Sequence, residues 1–230
     1  IPGLSIEPLK RCFVDPEVWD GFEPGLVTMA SPDPQAYRQP GEAKNILQVG
    51  LPTNFKAACF EAEEHTEMLR NLEADIVDAR FDPGDGALEI PVKLRVHESL
   101  FVPLAKWPML LAGNYRFIKR DEMIPIRDAV HGDLDATREA YAWAWELCTR
   151  LGAADADLVP FEKYAKAAEG LGKPSSAARA LFGGAEHIER VDWLIREIGR
   201  QLGLESKTMD EVVTLVDDRL AKNRSQGPTS

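Results

Sequence analysis

The chain has 230 residues, enough for one large or two modest folded domains with a substantial core. Its hydrophobic fraction of 44% and charged fraction of 28% are ordinary for a folded soluble protein. A net charge of -11 with scattered basic residues argues against nucleic acid or a membrane surface as the main partner, and no window approaches the ~20 apolar residues of a membrane span. We therefore expect a cytoplasmic protein that acts on small molecules.

The first part of the chain carries the signals of a small α/β unit. The apolar run over residues 46–51 predicts a strand, helical periodicity follows over 61–73, and the run over 76–81 predicts a second strand. A strand, helix and strand of this length form a βαβ unit, whose two strands would lie parallel in one sheet. Turn formers at 82–86 then precede a β-like stretch over 88–96.

From residue 97 onward we find helical periodicity and no convincing strand. The predicted helices cover 97–118, 133–151, 157–171, 174–182, 186–203 and 207–222. Asp133 and Ser175 stand near helix starts, and Gly152, Gly172 and Gly203 stand where helices should stop. The predicted fold class is α+β, mainly α, with an incomplete α/β segment over 1–96 and an all-α domain over 97–224.

The sequence lacks the motifs of several enzyme classes. A dinucleotide cradle needs GxGxxG between a strand and a helix, and this pattern is absent, so no cofactor-binding residue can be assigned. The four histidines form no HExxH pattern, and we predict no metal site. The three cysteines, Cys12, Cys59 and Cys148, are far apart in the sequence, and we predict that they are reduced thiols.

The longest apolar run, over residues 100–112, contains one lysine, Lys106. Because an unpaired buried ammonium is costly, Lys106 either extends to the surface or points into a polar cleft. On one α-helix the eight residues from Lys106 to Asn114 turn through about 800°, which leaves both on one side. The polar residues expected to line such a groove are Lys106, Asn114, Ser175, Ser176, Glu189 and Asp192. A lysine beside amide and hydroxyl groups suits a small 2-oxo acid.

Taken in order, these residues resemble the ketopantoate reductase (2-dehydropantoate 2-reductase) family. The helical domain of that family is of the 6-phosphogluconate dehydrogenase C-terminal type. Lys106 and Asn114, in AKWPMLLAGNYRFI, are similar to the lysine and the later Asn-containing segment of the family's long helix. The Ser-Ser pair at Ser176 and the segment from Glu189 to Asp192 are similar to two further family segments.

The chain departs from the family pattern in three places. The family has an asparagine four residues after the lysine, where this chain has Leu110, and Glu189 stands three residues before Asp192 rather than two. A family member would also carry a Rossmann-type domain with a glycine fingerprint, and residues 1–96 resemble only its closing part. Since the chain opens on Ile1 without an initiator methionine, we expect it to be a fragment of a longer polypeptide.

The resemblance implies a fragment of, or a truncated, NADP-dependent oxidoreductase that reduces a small 2-oxo acid. It implies Lys106 as the catalytic general acid and Asn114, Ser176 and Glu189 as substrate-binding residues. It allows a homodimer, and it implies that most of the NADP site is absent from this chain. The alternative is a non-catalytic helical dimerisation or small-ligand-binding module that has lost the dinucleotide site, which the missing glycine fingerprint and Leu110 favour.

Overall fold

The computed structural model describes residues 4–32, 36–37, 43, 46, 48–49, 53–90 and 92–226. The fold is α+β and mainly α. The chain divides into two compact units, one over Trp19–Pro103 and one made of Ile1–Val18 with Leu104–Ser230. The second of these units resumes at Leu104, a few residues after the predicted division between residues 96 and 97. The division of the chain into the two predicted domains stays a prediction.

The α/β unit has a three-stranded sheet in the order β1-β4-β7. Its strands are β1 (Ala30–Pro32), β4 (Thr53–Ala58) and β7 (Val92–His97). β4 and β7 are parallel, with Thr53 opposite Val92 and Ala58 opposite His97, and β1 is antiparallel to β4. The helix α1 (Glu63–Asp78) lies between β4 and β7 in the chain and packs against β7.

Two short antiparallel pairs of strands also belong to this unit, and the second pair is a hairpin. One pairs β2 (Ala36–Tyr37) with β3 (Gln48–Val49), and the other pairs β5 (Arg80–Phe81) with β6 (Leu88–Glu89). The turn of the β5–β6 hairpin contains Gly84 and Gly86 at φ values of 107° and 131°. The carboxylate of Asp82 accepts a hydrogen bond of 2.8 Å from the amide of Gly84, as expected for the predicted turn.

The prediction that 46–51 and 76–81 are strands of one sheet is wrong. Within 46–51 the described strand is only β3, which pairs with β2; residues 47, 50 and 51 lie outside the described residues. Within 76–81 the first three residues are the last turn of α1, and β5 pairs with β6. A parallel strand, helix and strand unit is present, but its strands are β4 and β7.

The helix α1 extends past the predicted end at residue 73 because its inward stripe continues. Residues Ala62, Thr66, Leu69, Glu73 and Ile76 recur at spacings of three and four and are buried or half-buried. Ile76 therefore belongs to a helical stripe rather than to a strand. Two other apolar residues of the helix, Met68 and Leu72, lie outside this stripe and are exposed at 68% and 48%.

The second unit is helical. Its helices are α2 (Lys106–Met109), continuing into a π-helical turn (Leu110–Tyr115), then α3 (Ile126–Gly132), α4 (Leu134–Leu151), α5 (Phe161–Ala168), α6 (Ser176–Phe182), α7 (Val191–Gln201) and α8 (Lys207–Gln226). Residues 133–222 are all described and contain no strand, as predicted. An isolated bridge joins Pro125 to Pro174.

The predicted helix over 97–118 begins later than expected. His97 is the last residue of β7, and helical turns start only at Val102. Pro103 and Pro108 have no amide hydrogen to donate, so a regular helix does not run through this stretch. Pro108 is accommodated in the first turn of α2, where a backbone amide has no partner within the helix.

Most of the predicted helix ends are observed. The side chain of Asp133 accepts from the amide of Ala136 at 3.0 Å and caps α4, and Gly152, at φ 117°, ends that helix. Gly203, at φ 71°, follows α7. Gly172 does not end a helix, because α5 already stops at Ala168.

The core of the helical unit is built around α4. Its buried residues, Thr137, Ala140, Tyr141, Ala144, Leu147, Cys148 and Leu151, follow a helical repeat of three and four. The ring of Tyr141 stacks on Tyr164 with centroids 5.3 Å apart and meets Phe161 edge-on at 5.4 Å. Within the described ranges, no helix has the length and apolar character needed to cross a membrane.

Candidate functional site

The helical segment that begins with Lys106 changes from α to π geometry after Met109. The amide of Arg116 donates to the carbonyl of Leu111, five residues back, at 3.0 Å. Single π turns inside α-helices occur frequently at functional sites. A π turn holds more residues than an α turn, so the α-helical angle calculated from Lys106 to Asn114 overestimates their rotation.

Gly113 allows Tyr164 to approach the π turn. A Cβ atom at position 113 would collide with the hydroxyl oxygen of Tyr164 and would lie 3.2 Å from its Cζ. Tyr164 is only 6% exposed, and its hydroxyl has no hydrogen-bond partner among the described residues. Burial raises its pKa above the ordinary range, so the phenol is neutral. Glycine at position 113 is therefore needed for this contact.

Ser175 connects the π turn to α6. Its hydroxyl donates to the carbonyl of Asn114 at 2.9 Å and accepts from the amide of Ala178 at 3.1 Å. Ser175 is 4% exposed and is the N-cap of α6. One buried hydroxyl thus caps a helix and holds the carbonyl of a residue 61 positions earlier.

Tyr115 connects the same turn to the segment before α7. It is 3% exposed, and its hydroxyl donates to the carbonyl of Glu189 at 2.5 Å. Burial raises the pKa of Tyr115 above its ordinary range, which keeps the phenol protonated as a donor. Ser175 and Glu189 are therefore held by adjacent residues of one turn, Asn114 and Tyr115.

An ion cluster follows Glu189 directly. Arg190 makes two bonds of 3.0 Å to Asp192, and its third nitrogen lies 2.6 Å from Asp217 on α8. Asp192 is fully buried, and this burial raises its pKa while the guanidinium of Arg190 opposes the rise. The cluster fixes the start of α7 to α8.

The four residues assigned from the sequence fall at different depths. Lys106 and Asn114 are half-buried, whereas the side chains of Ser176 and Glu189 are exposed. The hydrogen bonds of Ser175 and Tyr115 hold the π turn, which contains Asn114, against the start of α6 and against the segment before α7. Lys106 is the first residue of the helical segment that leads into this turn. Their roles as general acid and substrate ligands stay predictions.

Sequence reasoning missed four residues that build this region: Gly113, Tyr115, Tyr164 and Arg190. One signal was present, because a glycine inside the longest apolar run destabilises a helix and so often marks a close packing contact. Tyr164 could not have been identified, since its partner lies 51 residues earlier in the chain.

The cysteines do not offer a nucleophile in this region. Burial raises the pKa of Cys12 to about 11 and that of Cys148 to about 12, so both thiols are protonated near neutral pH. All three cysteines, including Cys59, are unbridged. In the part of the chain that is described, no group of three or more His, Cys, Asp or Glu side chains could hold a metal ion.

Among the described residues, the connection from β4 to α1 does not fit an NADP cradle. In a Rossmann unit the pyrophosphate lies at a glycine-rich turn between a strand and the N-terminus of the next helix. Here the connection from β4 to α1 reads Cys-Phe-Glu-Ala and contains no glycine. Ala62 caps α1 without a side-chain bond, and Glu63 and Glu64 in its first turn would repel a phosphate.

Comparison with known proteins finds no relative: no family model, curated protein or solved structure matches this chain. The assignment of a function therefore depends on the residues and contacts described above.

Proposed function

We propose that this chain is the substrate-binding portion of an oxidoreductase that resembles ketopantoate reductase and reduces a small 2-oxo acid. The observation that carries the proposal is the convergence at the π turn. Ser175 and Glu189 lie 61 and 74 residues after their partners in sequence, and hydrogen bonds join both to the helical segment that begins with Lys106 and contains Asn114. Polar residues held together by a π turn fit the description of a binding site.

Each residue has a role in this proposal. The ammonium of Lys106 donates a proton to the carbonyl oxygen of the 2-oxo acid when a separate hydride donor adds a hydride to the carbonyl carbon, which gives a 2-hydroxy acid and a neutral lysine amine. The amide of Asn114 and the hydroxyl of Ser176 orient the substrate, and Glu189 contacts it from the α7 side. Tyr115 and Ser175 hold the backbone in place, because their hydroxyl groups are buried and already bonded to carbonyls.

The proposal assigns no dinucleotide cradle to this chain. The unit of β4, α1 and β7 is interpreted as the closing part of a Rossmann-type domain, and the parallel register of β4 and β7 supports that interpretation. Because the described connection from β4 to α1 does not fit NADP, the proposal assigns no residue to the hydride donor. The assignment covers substrate binding and proton donation.

Calorimetric titration with ketopantoate and with pyruvate tests the proposal. We expect saturable binding that Lys106→Ala and Asn114→Ala each weaken at least about tenfold, the loss of one charged or bidentate contact. Lys163→Ala, an exposed lysine on α5, is the matched control and should leave the affinity unchanged. Absence of binding, or equal affinity in Lys106→Ala, contradicts the proposal.

A non-catalytic module is the second candidate, and one surface of the helical unit favours it. A groove of about 360 Å³ is lined by Tyr141, Ala142, Trp145, Pro160 and Phe161, together with the charged residues Arg138, Glu146 and Glu162. Such an aromatic groove suits a small apolar ligand or a second copy of the chain. Sedimentation equilibrium separates the candidates: self-association lost in Trp145→Ala, together with no binding of 2-oxo acids, supports the module.

A further inference from the structure

A cavity of about 490 Å³ lies within the α/β unit, beside β7. It is lined by the second half of α1, by the β5–β6 hairpin and by β7. Its apolar lining comes mainly from the half-buried residues Ile76, Ile90, Val92 and Leu94. This cavity has no part in the function proposed above, and β7 supplies part of its lining.

The strand β7 lies at the edge of its sheet and pairs with β4 alone among the described strands. The amide of Val96 points away from β4, because it donates to the carboxylate of Glu73 at 3.1 Å. Alternate residues of a strand direct their amides to the same side, so those of Leu94 and Val92 face the same edge, along the cavity. The outer edge of β7 therefore already binds one carboxylate of the same unit, that of Glu73.

The rim of the cavity carries an excess of positive charge on a chain whose net charge is -11. Its charged residues are Lys56, Arg80, Lys93 and Arg95, with Glu73 and Glu89. Both carboxylates already have cationic neighbours, since Glu73 lies 4.0 Å from Arg95 and Glu89 lies 3.8 Å from Arg80. The two lysines make no ion pair with any described residue.

The titration of His97, at the end of β7, reflects the same local field. Its pKa is lowered, first by burial and then by the positive charges of Lys56 and Arg95. Glu73 alone acts in the opposite direction. The charge around this edge is therefore complementary to an acidic ligand.

We propose that the outer edge of β7 is a docking site for an acidic, extended segment of a partner protein, which adds to the sheet as a further strand. The backbone of the segment would bond to the outward amides at Val92 and Leu94, as strand-addition ligands do. Its apolar side chains would enter the cavity, and its carboxylates would meet Lys56, Lys93 and Arg95. A second copy of β7 fits less well, because it would bring like charges together.

Fluorescence anisotropy with a labelled, acetylated Glu-Val-Glu-Val-Glu-Val peptide tests the proposal on the 230-residue chain. We expect saturable binding that the double variant Lys93→Glu with Arg95→Glu weakens at least about tenfold. Leu94→Pro should also weaken the binding of this peptide, because proline removes one amide from the outer edge of β7 and leaves the amides that donate to β4. A Lys-Val peptide of the same length should not bind.

Two controls separate strand addition from simple charge attraction. Lys119→Glu with Lys222→Glu changes two exposed lysines of the helical unit by the same charge and should leave the affinity unchanged. A Glu-Val peptide with N-methyl groups along one edge keeps its charge but loses half of its amide donors, and it should bind at least about tenfold more weakly. Far-UV circular dichroism and the melting temperature establish that each variant is folded.

The outcomes decide the proposal in each direction. Equal binding of the N-methylated peptide, or equal weakening by the two double variants, would mean that only bulk charge is sensed and overturns it. Concentration-dependent self-association that Leu94→Pro abolishes would show that a second copy occupies the edge, and also overturns it. The charge-reversal variant keeps the test valid if Leu94→Pro does not fold.

Discussion

Gly113 and Tyr164 pack so closely at the π turn that neither can change without affecting the other. The hydroxyl of Tyr164 occupies the space that a side chain at position 113 would need. Because that hydroxyl has no partner among the described residues, its role is to fill space rather than to bond. The packing of one buried phenol thus requires one glycine in a helical segment.

We predict that Gly113→Ala lowers the free energy of unfolding by about 1–3 kcal/mol, the usual effect of overpacking. Tyr164→Phe alone should change it by less than about 1 kcal/mol, since no bonded group loses its partner. In the Tyr164→Phe background, Gly113→Ala should cost clearly less, because the nearest remaining ring atom is 3.2 Å from the new Cβ. Urea unfolding of the four proteins measures this cycle; an equal cost in both backgrounds would show that the hydroxyl is not the obstacle.

Arg190 stabilises the buried carboxylate of Asp192, and Arg190→Met leaves that carboxylate unpaired. We predict a loss of about 3–5 kcal/mol in the free energy of unfolding near neutral pH. Removing the guanidinium also removes the contribution that lowers the pKa of Asp192, so the folded-state pKa rises further above its unfolded value.

The pH dependence of this loss follows from the sign of the shift. A carboxyl group whose pKa is raised by folding favours the folded state when protonated, and this advantage is lost as the pH rises through the folded pKa. The effect of Arg190→Met should therefore be smaller at about pH 4 than at about pH 7. Adding Asp192→Asn to Arg190→Met should flatten the difference, and a loss independent of pH in Arg190→Met would contradict this account.

At the scale of elements, adjacent serines at the start of α6 have different environments. Ser175 is buried and bonded to both Asn114 and Ala178, whereas Ser176 is exposed. Capping and the connection to the π turn belong to the first serine, and contact with a ligand is available only to the second.

We predict that Ser175→Ala lowers the free energy of unfolding by about 1–2 kcal/mol, through loss of the cap and of the bond to Asn114. Ser176→Ala, its matched control, should change stability by less than about 0.5 kcal/mol. If the proposed function holds, Ser176→Ala weakens binding of the 2-oxo acid at unchanged stability. Chemical denaturation and calorimetric titration of both variants measure these effects; equal stability losses would contradict the assignment.

At the scale of the whole molecule, the two compact units differ in what they could bind. The helical unit has the π turn and its convergent polar groups, while the α/β unit has a charged strand edge. A glycine-free connection and two carboxylates occupy the position where a Rossmann unit binds pyrophosphate.

We predict that this chain does not bind NADPH saturably at micromolar concentrations. Glu63 and Glu64 at the first turn of α1 oppose the phosphates, and no glycine allows a close backbone approach there. Titration followed by the fluorescence of NADPH measures this directly, with heat-denatured chain as the background control. Micromolar affinity would show that a cradle exists elsewhere in the chain.

The sequence determined the mainly helical second part, the position of α4 and several helix ends, because periodicity and capping residues are local. Asp133, Ser175 and Gly152 act at the ends expected of them, since a cap needs only the turn beside it. It also predicted a parallel unit of strand, helix and strand, but it assigned both strands to the wrong residues, since the parallel strands are β4 and β7.

Only the tertiary structure decided which strands pair and how the candidate site is built. Residues 76–78 join α1 because the burial of its stripe against the sheet outweighs their short apolar run. The close approach of Tyr164 to the π turn requires Gly113, and the hydroxyl of Tyr115 has its acceptor 74 residues away. Contacts at such separations leave no periodic signal in a single sequence, so local patterns predicted the helices but not the groups that they bring together.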